Sequence, residues 1–219
     1  MVPNVSSRHR VGHRMRELDT VGIVDPSIGA TVYETSDDLA SLQALLDRSA
    51  ATAGAHLRRV ITPERRLNAS EVCFRLTGMS LLALATVTAD GRPLVAPVDG
   101  VFYRGAFYFG SAPDSVKFRH LRSRPYVSAT HLPGEHLAVT VHGRAVPVDV
   151  QSAQEGGFRR ALLEVYVPRY GPEWVAFLDA EAVYARIDAD RMFTFCVEAE
   201  QRAPVETEPI GANSEKDPG

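Results

Sequence analysis

The stretch SAPDSVKFRHLRSRP, residues 111–125, gathers the residue types that hold a phosphate. It follows an apolar run that ends at Ser111, and it opens a short helix. Backbone N–H groups at a helix start, the hydroxyls of Ser111 and Ser115, and the Lys117 ammonium one turn in can together cradle an anion. Arg119 or Arg122 can add a second positive charge. Spacing alone leaves the matter open, because basic residues on a short helix are most often simply solvated.

Other reactive residue types lack a working arrangement. His120, His131, His136 and His142 are close in sequence, but His131 and His136 flank a Pro133-Gly134 turn at five-residue spacing, and they read as surface side chains rather than metal ligands. Cys73 and Cys196 form no CxxC or Cys/His pattern, so both read as small core residues in a reducing compartment. Ser, His and Asp occur in no nucleophile-elbow context. No GxGxxG or P-loop is present, which argues against a Rossmann nucleotide site. Trp174, Tyr166 and Tyr170 read as packing.

Bulk properties narrow the classes further. The chain has 219 residues and a net charge of -3, from 24 basic and 27 acidic side chains, which argues against a nucleic-acid coat. No apolar run is long enough to span a membrane, and the start is basic without an apolar core, so it is no secretory signal. The expected compartment is the cytoplasm.

The elements that must position residues 111–125 follow from periodicity. Residues 1–35 read as a flexible basic arm. Leu39, Leu42, Leu45, Leu46, Ala53 and Leu57 share one helical stripe, so 37–59 is expected as an amphipathic helix capped by Ser36, within an extension spanning 36–62. Its partner is left open between the rest of the chain and a second subunit. Pro63 opens a second helix that Gly78 closes. Beyond it the period switches to two: LLALATVT (81–88), an Asp90-Gly91 turn, PLVAPVDGVFY (93–103), an Arg104-Gly105 turn and AFYFGS (106–111). A short helix within 113–124 precedes strands at 125–131 and 136–150, where Gly143 signals a bulge or a close backbone approach. Helices at 152–167 and 173–180 lead to strands at 182–188 and 192–197, and 199–219 reads as a disordered tail. Hairpin loops this short exclude parallel crossovers. The fold class is therefore mainly β with α: a six- to seven-stranded antiparallel barrel with packed helices, occupying 63–198.

The order Asp90-Gly91-Arg92-Pro93, Pro97-Val98, Phe107 to Ser111, then Ser115, Lys117, Arg119, Leu121 and Pro125 resembles the pyridoxamine 5′-phosphate oxidase-like superfamily, in its flavin/deazaflavin-dependent oxidoreductase branch. Gly143-Arg144-Ala145 continues the pattern. The resemblance spans about 64–197 and implies an FMN-binding split β-barrel that forms a homodimer with the cofactor at the subunit interface. It implies a phosphate held by Ser111, Ser115 and Lys117, with Val116 and Arg122 alongside. The flavin ring would lie along Ala96, Pro97, Val98 and Asp99, with Gly110 a close neighbour. FMN is the implied cofactor, with the deazaflavin coenzyme F-420 and haem (through His142) as alternatives. The implied function is an oxidoreductase acting on a small organic substrate, with no nucleic-acid or membrane partner. The alternative is a non-catalytic carrier or sensor barrel. Catalytic residues are not assigned; Tyr103 or His142 is a proton source if either reaches the ring. The chain departs from the oxidase itself at Val116, at Ala138 and in lacking its C-terminal Arg-Leu-His segment, which argues against vitamin B6 oxidation as the expected reaction.

Overall fold

Runs whose side chains alternate between two environments must pair edge to edge, and six of them do so here. A computed structural model describes residues 33–180 and 182–197, and in it β1 (Met79–Val87), β2 (Pro93–Tyr103), β3 (Ala106–Ser111), β4 (Tyr126–Gly134), β5 (Leu137–Val148) and β6 (Val183–Cys196) form a closed barrel. The strand order is β1-β2-β3-β6-β5-β4, with every pair antiparallel and β4 returning to β1. The Arg104-Gly105 turn has φ of 49° and 79°, the left-handed pair that a two-residue hairpin demands. At the β1–β2 turn Gly91 has φ of 84°, and the Arg92 N–H donates to Thr88 Oγ1 at 2.9 Å.

Alternation sends Leu82, Leu84, Val98, Phe102, Phe107 and Phe109 into the barrel. The outer faces of β2, β3 and β6 carry Val101, Tyr108 and Tyr184, which are covered by Phe158, Leu162 and Tyr166 of α5 (Gly156–Tyr170). Trp174 of α6 (Trp174–Ala180) stacks on Tyr166 at 4.5 Å, so this ring does pack. Cys73 and Cys196 are both buried in the main core, and burial foremost, then Glu34, pushes the Cys73 thiol up to about 12.

The amphipathic helix packs on its own barrel. α1 (Ser36–Ala51) places Leu42, Leu45 and Leu46 in the same core as the strands. Ser49, fully buried, donates to the Leu45 carbonyl at 2.7 Å and accepts the Met192 N–H at 3.0 Å, which ties α1 to β6. Thr35 rather than Ser36 caps the helix, in a capping box with Asp38. Asp38 also accepts both arms of Arg104, at 2.9 and 3.2 Å.

Several boundaries differ from expectation. The helix expected over 37–59 breaks after Ala51 and resumes as α2 (Ala55–Val60), because Thr52 Oγ1 turns back onto the Arg48 and Ser49 carbonyls. Pro63 opens only a short 3-10 turn; the helix proper, α3 (Ala69–Arg75), starts from an Asn68–Glu71 capping box. The two last strands are one, β6, with Asp190 bulged out where the register shifts opposite His142 and Gly143. The bulge signalled by Gly143 is therefore present, and a Cβ there would lie 2.1 Å from the Asp188 carbonyl oxygen. The basic arm, except for its last residues from Tyr33, and the tail 199–219 lie outside the described residues.

Candidate functional site

β2 pairs with β1 along its whole length but with β3 only from Gly100 to Tyr103. Ala96, Pro97, Val98 and Asp99 lie past the last of those pairs, Gly100↔Phe109, so their second backbone edge has no strand partner in the ladder. Continued past that pair, the register would set Asp99 against Gly110 and Pro97 against Ala112, where the chain instead turns away into the loop before α4 (Val116–Leu121). A split in the barrel wall results, bounded by the open edge of β2 and by that loop. Val98 points into the core, while Pro97 and Asp99 are exposed on the outer face.

The other bank of the split carries the candidate phosphate residues. Lys117 Nζ reaches Ser111 Oγ at 3.4 Å, so these two side chains meet at the end of β3. Ser115 is the N-cap residue of α4, yet its hydroxyl makes no capping bond. Its Oγ is buried and finds no hydrogen-bond partner among the described residues. An orphaned buried hydroxyl is costly unless something else satisfies it. Val116 projects outward and is exposed. Arg122 donates from Nη2 to the Pro113 carbonyl at 3.0 Å, closing the loop on itself.

What holds α4 in place was not legible in the motif. His120 Nδ1 lies 3.0 Å from the buried Thr86 Oγ1, and Arg124 Nε donates to the Val87 carbonyl at 2.9 Å. Leu121 is buried in the core, and the Phe118 ring packs on Phe109 at 5.7 Å. These contacts fix the helix to β1 and to the barrel mouth, and so fix where Lys117 can point.

Gly110 has its own structural reason. A Cβ there would fall 2.6 Å from Cε1 of Tyr184, so the open side of Gly110 is taken by the Tyr184 ring. Asp99 adds a cluster that the sequence did not disclose. Burial first, then Tyr184 and Asp99, push the Tyr166 phenol up, and burial followed by Asp99 does the same to Tyr184. Both phenols stay protonated across the ordinary pH range.

Neither proposed proton source reaches the split within one chain. Tyr103 lies four residues beyond Asp99, about 13 Å along the strand, and its hydroxyl packs 2.5 Å from where a Cβ of Gly157 would be. His142 lies three strands from β2, about 14 Å across the sheet, and its Nδ1 is 2.7 Å from Ser128 Oγ. The cleft beside His142 measures about 210 Å³ and is lined by Ala138, Thr140 and Phe193 along with His142. His131 Nδ1 sits 3.0 Å from the Leu81 carbonyl oxygen. Among the described residues no group of three or more His, Cys, Asp or Glu side chains is placed to hold a metal, and no helix is long and apolar enough to cross a membrane.

No curated protein matches the chain. Among solved structures it is similar to a protein of unknown function from Agrobacterium tumefaciens str. C58, with 20% identity and a TM-score of 0.43. That match covers 53% of this chain and 51% of the other, so the chain spans about half of that protein's length. It is similar to a conserved hypothetical protein from Mycobacterium tuberculosis, with 18% identity, a TM-score of 0.46, and coverage of 75% of this chain and 95% of that one. It is also similar to an FAD-binding protein from Mesorhizobium loti, with 25% identity, a TM-score of 0.45, and coverage of 61% and 98%. The family model described as pyridoxamine 5′-phosphate oxidase matches residues 71–196, over half of the chain and all six strands of the barrel. This chain, with its split six-stranded barrel, belongs to the pyridoxamine 5′-phosphate oxidase family.

Proposed function

We propose that this chain is a flavin-dependent oxidoreductase that works on a small organic substrate as a homodimer. The observation that carries the reading is the split itself. The unpaired backbone edge of Ala96–Asp99 begins where the β2–β3 ladder stops, and the far end of β3 leads into Lys117 on Ser111 and the orphaned Ser115 hydroxyl. A bound flavin would supply the hydride chemistry, with FMN the smallest form that carries the phosphate and the deazaflavin coenzyme as the alternative.

The chain's own residues supply binding and orientation. Lys117 offers a charged donor to the phosphate, and Ser111 and Ser115 offer hydroxyls to its remaining oxygens. The open edge of β2 offers N–H and C=O groups to the polar edge of a flat heterocycle, except at Pro97, which has no N–H. The core residues behind β2 exclude water from that side. Asp99 keeps its carboxylate beside the Tyr166 and Tyr184 phenols, at the end of the same edge.

The homodimer reading rests on exposed apolar surface. Val95, Leu132, Tyr126 and Leu81 are 68%, 62%, 63% and 56% exposed, on adjacent strands β2, β1 and β4. A run of large apolar groups on one sheet face marks an association surface.

The test is spectroscopic. The purified full chain is expected to carry or take up a chromophore with flavin bands, or with the single deazaflavin band. A nicotinamide should reduce it, and a small oxidant should reoxidise it. Reduction without catalytic reoxidation would make the chain a carrier. A protein that remains colourless and titrates with neither cofactor would overturn the proposal.

A further inference from the structure

A cavity of about 230 Å³ lies where α1, α2 and the segment leading into α3 meet β6. Its floor is apolar, made by Leu46, Leu57 and Ile61 with Met192 and Phe193 of β6. Bonds between distant segments set its walls. Gln43 Oε1 accepts the Ala69 N–H at 2.9 Å, which joins α1 to α3. The buried Thr194 Oγ1 accepts the Leu67 N–H at 2.9 Å, which joins β6 to the segment before α3. The space exceeds the apolar cavity of roughly 150 Å³ that takes up benzene. It is also separate from the split. β6 pairs with β3 only from Val183 to Arg186, and Met192 lies about 20 Å further along the strand.

Four charged side chains line the same cavity: Asp47 and Glu71, with Arg58 and Arg66. Among the described residues no ion pair joins any two of them. Each keeps part of its charged group uncommitted. Asp47 accepts Gln43 Nε2 on one oxygen, at 2.9 Å, and Glu71 accepts the Asn68 N–H on one oxygen, at 2.7 Å. Arg66 donates from Nε alone, to the Ile61 carbonyl at 3.3 Å. Arg58 makes no hydrogen bond or ion pair with a described residue. A ligand of one sign would meet two groups of its own sign on this rim. A molecule that carries both signs and an apolar body satisfies rim and floor together.

We propose that the cavity binds a small α-amino acid with an aliphatic side chain. Arg58 and Arg66 take its carboxylate, which a guanidinium fork matches with two parallel N–H bonds. The open oxygens of Asp47 and Glu71 take its ammonium, which has only donors to offer. The side chain lies on the floor at Leu57, Ile61 and Phe193, in the manner of sites with apolar walls and a few placed polar groups. Because the walls come from α1, α2 and β6 together, the ligand binds the folded chain alone and stabilises it by mass action.

The full-length protein is titrated with L-leucine by calorimetry, and its melting is followed with and without that ligand. The controls are 4-methylpentanoate, which is leucine without its ammonium, and 3-methylbutylamine, which is leucine without its carboxylate. Leucine is expected to bind about tenfold or more tighter than either, since each control loses one set of charged hydrogen bonds. At about a hundredfold above its Kd it should raise the melting temperature by about 5–10 °C. Arg58→Ala is expected to melt, without ligand, where the unaltered protein does, and to bind leucine about tenfold or more weakly. Asp47→Asn keeps an acceptor for Gln43 and should weaken leucine while leaving 4-methylpentanoate within about twofold. Neither heat nor a melting shift with leucine at about 10 mM would overturn the proposal. Equal affinity for 4-methylpentanoate would also overturn it, by making the cavity a plain anion site. So would full leucine affinity in folded Arg58→Ala, or an equal loss of leucine and 4-methylpentanoate in Asp47→Asn.

Discussion

At the residue scale, Lys117 and Ser115 separate binding from stability. Lys117 is half-buried, and its hydrogen bond to Ser111 Oγ is a long one, 3.4 Å, so the fold gains little from that contact. Lys117→Ala is expected to weaken FMN by about 1.5–3 kcal/mol through the lost charged hydrogen bond. Riboflavin, which lacks the phosphate, should bind both proteins alike, and parallel titrations with the two ligands check this. Ser115 makes the opposite case. Its buried Oγ has no partner, so Ser115→Ala removes a desolvated group and should leave the melting temperature unchanged or raised. FMN affinity should fall all the same. A drop in both melting temperature and affinity would mean that the hydroxyl serves the fold rather than a ligand. Sequence spacing brought these residues forward by type, and Lys117 and Ser111 do meet. The open edge of Ala96–Asp99 was not visible in spacing, because where a ladder stops depends on a register set by neighbouring strands. Gly110 shows the converse: its small size was legible, but Tyr184, the ring that requires it, lies 74 residues away along the chain.

At the element scale, the fold was most legible where turn chemistry is local. Asp90-Gly91 and Arg104-Gly105 closed their hairpins as read, and β2 and β3 have the expected ends. The strand pair expected after residue 182 failed because Asp188-Ala189-Asp190 has turn composition but forms a bulge instead. A turn and a bulge use the same residue types, and only the partner strand distinguishes them. Gly143→Ala should be severe at this bulge. The new Cβ would meet backbone, the Asp188 carbonyl oxygen at 2.1 Å, and the expected loss is about 3 kcal/mol, read as a shift in the denaturation midpoint. At α1, partial burial works against the Asp38 charge, but Arg104 and the Thr35 N–H and hydroxyl outweigh it and hold the carboxyl below its ordinary value. In the interval between the lowered folded value and the ordinary one, the unfolded chain binds more protons, so stability rises with pH there. The Asp38 contribution is present above about pH 4 and is lost as pH falls through the folded value. Asp38→Asn should cost about 1 kcal/mol at neutral pH. The difference between the two proteins should shrink toward zero in melts carried out at decreasing pH below about 4.

At the scale of the whole molecule, the barrel is covered unevenly. α5 and α6 cover Val101, Tyr108 and Tyr184, and α1 brings Leu42, Leu45 and Leu46 against the core. The outer face of β1, β2 and β4 keeps Leu81, Val95, Tyr126 and Leu132 in water. Leaving four large apolar side chains exposed on one face costs solubility unless a second surface covers them, and a second copy brings an equal patch of the same chemistry. Val95 borders the open edge at Ala96, so such an association would also close over the candidate cofactor site. Val95→Asp should therefore act on two readouts at once. Light scattering is expected to show about half the mass of the unaltered protein, since a charge placed in an apolar interface lacks a partner. Flavin affinity should fall with it, although residue 95 lies outside the phosphate cradle, and raising the protein concentration should restore binding in step with dimer. If the variant remained dimeric, the association surface would have to be sought on another face. If it became monomeric and still bound flavin as tightly as before, the site would be complete within one chain, and the open edge of β2 would have to do its work without a second subunit.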